Sequence, residues 1–186
     1  MRRPLRGLAV VVATCIVFGA VASTAFARLD GGNRLAVEIR DECDPATFNA
    51  VLGEGACVGD GTVTFSDFIA ELSATQQVGT WRFDPNSGQV DAGKKILAEN
   101  AGGETHTFTE VAEFGPGIVP ELNELVFGVP GPPLPEFQSL GPDDFIAPGG
   151  SVKLRTGKHG LDAGVHRFEC AIHPWMQATV VVEPKH

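Results

Sequence analysis

Apolar and polar positions alternate over short stretches in the second half of the chain. Val152 and Leu154, Phe168 and Cys170, and Val180 and Val182 are each two residues apart, the period of a strand with one buried face. Thr80-Trp81-Arg82-Phe83, the run 94–100 and the run 105–111 also read as strands. Turn residues separate them, at Pro85-Asn86-Ser87-Gly88 and at Ala101-Gly102-Gly103. Many short strands broken by such turns predict an all-β antiparallel sandwich over 78–186.

Residues 28–77 read differently, as a short helical N-terminal extension. Asp44 can cap a helix with Pro45 at its first position, and Gly53 can end it. Ser66 can cap a second helix, whose apolar face is Phe68, Ile69 and Leu72. The loop from Gly59 to Phe65 weakly matches half of a calcium loop. Ala56 and Val58 stand where ligand oxygens would be needed, so a helical hairpin without calcium is expected. The stretch 115–148 carries eight prolines and cannot form one regular strand or helix. It reads as a Pro/Gly-rich loop insertion, with Leu122, Leu125, Val126 and Phe127 as candidate anchors.

The first 27 residues belong to neither pattern. A basic start (Arg2, Arg3, Arg6), an apolar run from Leu8 to Ala22 and the small-x-small triplet Ala25-Phe26-Ala27 read as a secretory signal peptide over 1–27. That predicts an exported protein, periplasmic or extracellular, with no stable membrane insertion after cleavage. Removing three arginines and no acid takes the formal charge from −9 to −12. That acidity argues against nucleic acid as a partner; it favours a basic protein partner or serves solubility alone. Export permits disulfides. Cys43 and Cys57 would close a loop of about 15 residues, a bridge contributing about 3 kcal/mol. Cys170 is then the odd cysteine.

Its surroundings give it a role. Cys170-Ala171-Ile172-His173-Pro174-Trp175-Met176 has the spacing Cys-x2-His-x2-Met. A thiolate, an imidazole and a thioether are soft to borderline ligands and suit copper. Zinc also takes Cys and His, but the thioether argues against it as the working metal. Blue-copper sites add a second histidine to complete a His2Cys plane with a long axial Met. His106, between the glycine turn and a strand, is the candidate. His159 in a polar turn and His186 at the C-terminal end read as solvated. His166 shares a strand face with Phe168 and Cys170, two and four residues deeper, and reads as packed or hydrogen-bonded.

From about Trp81 to Val182 the chain resembles the cupredoxins, the small blue copper proteins. The resemblance runs through Phe83-Asp84-Pro85, Val90-Asp91-Ala92-Gly93, Asn100 before His106, the run from Phe145 to Gly150, and the run from Ala163 to Cys170. The ligand-loop spacing is similar to that of amicyanin and pseudoazurin. The resemblance implies a Greek-key sandwich holding one copper ion. Cys170 would be the thiolate ligand, His106 and His173 the imidazole ligands and Met176 the weak axial ligand. It also implies that His173 is the electron exit point. Pro174 and Trp175 beside it read as a contact patch, or Trp175 as filling under the loop. Many relatives tie their two ligand loops with Asn directly after the first histidine, and here Thr107 stands in that place.

Two functions follow. One is a mononuclear blue copper protein carrying single electrons between redox partners. The other is copper handling, sensing or delivery without electron transfer. An enzyme is not expected. Four protein ligands leave no open metal position. Glu169 and Ala171 flank Cys170, where multicopper oxidases and copper nitrite reductases carry a histidine. The ligand loop has no second cysteine, which a dinuclear copper centre would need.

Overall fold

The computed structural model describes residues 34–185. The expected signal peptide and His186 lie outside the described residues. Two four-stranded sheets face each other. The first has the order β2 (Arg82–Asp84), β1 (Arg34–Arg40), β4 (Lys95–Asn100), β8 (Ser151–Arg155). The second has the order β3 (Ser87–Asp91), β10 (Gln177–Glu183), β9 (Gly164–Glu169), β6 (Thr109–Val111). A two-stranded ladder joins β5 (His106–Thr107) to β7 (Phe145–Ile146). Alternation decides which side chains go inward: Leu35, Val37 and Ile39 from β1 meet Ala178, Val180 and Val182 from β10 in one core. Phe83, Phe108 and Phe168 continue it, with Phe108 stacked on Phe168 at 4.3 Å between ring centres.

The sheets are mixed, where an antiparallel sandwich was expected. β1 and β4 are parallel, as are β3 and β10. Parallel neighbours need a long crossover, and the segment between β1 and β4 supplies one through two helices, β2 and β3.

A second correction concerns the boundary at 77/78. Residues 34–40 are not part of a separate helical extension. β1 lies inside the first sheet, bonded to β2 on one side and β4 on the other. Its buried face is the reason: without it, the core opposite β10 would lack Leu35, Val37 and Ile39.

The two expected helices form and sit over one end of the sandwich. α1 (Pro45–Leu52) is capped by Asp44, whose carboxylate accepts from the Thr47 amide at 3.1 Å, and it ends at Gly53 with φ 107°. α2 (Phe65–Thr75) starts earlier than predicted. Thr64, not Ser66, is its cap, and the Thr64 hydroxyl accepts from the Asp67 amide at 3.2 Å while donating to the Asp67 carboxylate at 2.7 Å. Cys43 and Cys57 are bonded, which fixes α1 to the loop before α2. Phe48 of α1 and Phe68 of α2 both pack on Trp81.

The 115–148 insertion contains a third helix, α3 (Pro120–Phe127), and two short 3-10 turns. Leu122, Leu125 and Val126 pack on the core as expected, whereas Phe127 is exposed. Among the described residues no helix is long and apolar enough to cross a membrane.

Candidate metal centre

Cys170, the residue after β9, begins a tight turn into β10. Its amide donates to the Met176 carbonyl at 3.1 Å, and the Met176 amide donates to the His173 carbonyl at 2.9 Å. These two bonds fold the Cys-x2-His-x2-Met run so that Cys170 and His173 face one point. His106 reaches that point from β5. Its approach is fixed by buried Asn100, whose side-chain NH2 donates to the carbonyls of Glu104 and Ile146 at 2.8 Å each. The turn 101–105 is thereby held against β7.

Three of the four predicted ligands converge. Sγ of Cys170 lies 3.8 Å from Nδ1 of His106 and 3.8 Å from Nδ1 of His173, and the two Nδ1 atoms are 3.3 Å apart. The point equidistant from the corners of that triangle is about 2.1 Å from each atom. Metal–nitrogen and metal–sulfur bonds to a first-row ion such as zinc are ~2.0–2.3 Å. The triangle is therefore the right size for one ion, and its His2Cys composition fits copper. Met176 is 1% exposed and belongs to the same buried cluster as Cys170.

Burial is nearly complete: Cys170 and His106 are 0% exposed and His173 is 3% exposed. Burial opposes ionisation of the Cys170 thiol. Hydrogen bonds and charge interactions with both imidazoles outweigh it and hold the thiol well below its ordinary value. A thiolate is the form that binds metal. The Thr107 amide also points at this sulfur, 3.4 Å away.

Two carboxylates back the imidazoles, and the sequence pattern identified neither. Asp41, just past β1, places Oδ2 2.8 Å from Nε2 of His106. Burial alone would raise the Asp41 pKa. The hydrogen bond and charge of His106 and the amides of Glu104 and Gly103 outweigh that and bring it to about 2. An Nε2–H donating to this carboxylate leaves Nδ1 as the ligand atom. Glu104 places Oε2 3.6 Å from Nε2 of His173 while accepting from the Trp81 indole at 2.6 Å. Asp41 is 65 residues from His106, and no local spacing encodes that pairing. Glu104 had a usable signal: it stands two residues before His106.

Thr107 does tie the ligand loops. Its hydroxyl accepts from the Ala171 amide at 2.8 Å. The insertion adds a second tie, the Ile118 amide donating to the Ala171 carbonyl at 2.7 Å. His166 is hydrogen-bonded as predicted, to Glu110 and to the Asp162 carbonyl. It is only partly buried, not deep in the core. Of the two readings of Trp175, filling under the loop fits its surroundings better than an exposed contact patch. Pro174 is buried and Trp175 half-buried, and Phe68 of α2 packs against both His173 and Trp175. The helices roof the edge where a contact patch would face a partner.

The solved structures similar to this chain include a purple cupredoxin from Nitrosopumilus maritimus. It is 11% identical, with 80% of this chain and 99% of that one covered and a TM-score of 0.43. An oxidized plastocyanin from Dryopteris crassirhizoma is 20% identical over 80% of this chain and 99% of that one, with a TM-score of 0.40. A reduced amicyanin variant is 20% identical over 57% of this chain and 78% of that one, with a TM-score of 0.37. The fold itself is an open β-sandwich of two mixed four-stranded sheets. In this sandwich the donor cluster sits at one end, where β5 and the β9–β10 turn meet. No protein-family model and no curated protein sequence matches the chain.

Proposed function

We propose that this is an exported mononuclear blue copper protein that carries single electrons. His106, Cys170 and His173 would hold the ion, with the buried thioether of Met176 as a fourth donor. Bound copper supplies one-electron chemistry, with thiolate and thioether suiting Cu(I) and the imidazoles accommodating Cu(II). The observation that carries this reading is the closed triangle of donor atoms with at most 3% exposure. A site so buried favours retention of the ion over handover, which needs an incoming ligand to reach the metal. Carriage, not catalysis, is the role this closure supports.

The residues around the donors do the rest. Asp41 orients His106, Thr107 holds the two ligand loops in register, and Phe68 of α2 packs against the His173 ring. The disulfide and the N-terminal pattern support export. The negative charge favours a basic redox partner protein.

Voltammetry of the copper-loaded protein, with a Cu(I) chelator present, tests the choice between carriage and delivery. A reversible one-electron wave that persists over repeated cycles supports the carrier. A wave that decays as the chelator removes copper supports delivery and overturns it.

A further inference from the structure

Beside His173 there is a cavity of about 330 Å³ between the three helices. Phe65, Phe68 and Ile69 of α2 form one wall, and Leu122 and Leu125 of α3 form the other. Its polar floor consists of Glu104 and His173. The Glu104 side chain is 9% exposed and that of His173 4% exposed, so both are nearly hidden from solvent. The volume lies at the lower end for small-molecule sites, and apolar walls with a few converging polar groups are their usual composition. It admits one or two rings and is too small for a protein element.

The floor specifies more than an apolar guest. The Glu104 carboxylate only accepts hydrogen bonds and has acceptor positions beyond the one used by Trp81. With Nδ1 of His173 turned to the donor triangle, its Nε2–H donates. Glu104 Oε2 and His173 Nε2 stand 3.6 Å apart, too far for a direct hydrogen bond but open to a bridging group. A hydroxyl meets both needs with one oxygen: its O–H donates to Glu104 and its lone pair accepts from His173. An ammonium would leave the His173 donor facing another donor. A carboxylate would meet Glu104 below and Glu121, which also lines the cavity.

The geometry points to a binding site for a small neutral aromatic molecule bearing a hydroxyl group, of the phenol class. Its ring lies among the phenylalanines and its oxygen bridges Glu104 and His173. This deepens the copper reading by naming what reaches the His173 ring, and it rests on that reading for the Nε2–H tautomer of His173.

The test is methyl NMR titration of the full mature chain, metal-free and separately loaded with Cu(I), using p-cresol, toluene, benzylamine and p-toluate as probes. The expected result is shifts at Ile69, Leu122, Leu125 and Ile172, with p-cresol bound about tenfold more tightly than toluene. Glu104→Gln should reduce that advantage, and Leu122→Trp, which fills the cavity without touching Glu104, should abolish binding of every probe. Equal binding of toluene and p-cresol, tighter binding of benzylamine or p-toluate, or shifts that follow protein concentration and ignore the probes would overturn the proposal. Failure to load copper with p-cresol binding intact would count against the metal reading alone.

Discussion

Asp41 and His106, 65 residues apart, meet through a 2.8 Å contact between two side chains wholly excluded from solvent. The contact fixes the ring that presents Nδ1 to Cys170. Losing such a partner of a metal-binding histidine typically lowers metal affinity about 10–100-fold. Asp41→Asn, similar in shape but uncharged, should therefore weaken copper retention by about that factor in a competition titration. Unchanged affinity would show that His106 needs no anchor.

Thr107 should hold the two ligand loops together through its hydroxyl. Thr107→Val leaves the buried Ala171 amide without its acceptor, a loss of about 1–3 kcal/mol. Denaturant unfolding should show that loss for Thr107→Val and recover most of it in Thr107→Ser. Equal stability of the two variants would contradict the role.

The disulfide should matter to the roof over His173. Replacing Cys43 and Cys57 together by alanine should cost about 3 kcal/mol in unfolding free energy. Hydrogen exchange should rise first in α1 and in the loop before α2, the two segments the bridge joins. Exchange confined to segments far from the bridge would contradict this.

His166 should titrate above its ordinary value. Burial opposes its charge, but acceptors lie at both ring nitrogens, Glu110 at 2.5 Å and the Asp162 carbonyl at 2.8 Å. Only imidazolium donates from both nitrogens. A raised folded pKa contributes stability that is full below the unfolded value of about 6.5 and lost as pH rises through the folded value. The melting-temperature gap between wild type and Glu110→Gln should therefore be wider at about pH 5.5 than at about pH 9. A gap independent of pH would contradict the assignment.

Much of this was legible in the sequence because it is local. The cap of α1, the pairing of Cys43 with Cys57 and the alternation in β10 are encoded within a few residues. The Cys-x2-His-x2-Met run likewise brings Cys170 and His173 together through its own turn bonds. The misses are long-range or ambiguous. β1 carries a clear period of two at Leu35, Val37 and Ile39, yet its place depends on β4, about 60 residues away. Asp41 gains its meaning only once β1 is in the sheet. The roof over His173 depends on Phe68 meeting Trp175 across the whole domain, a contact no periodicity predicts.

The most direct test of the central claim is the visible absorption spectrum of the mature protein loaded with Cu(II), beside Cys170→Ala. The wild type should show an intense thiolate-to-copper charge-transfer band and the variant none. A colourless wild-type protein, or the same colour in both, would contradict it.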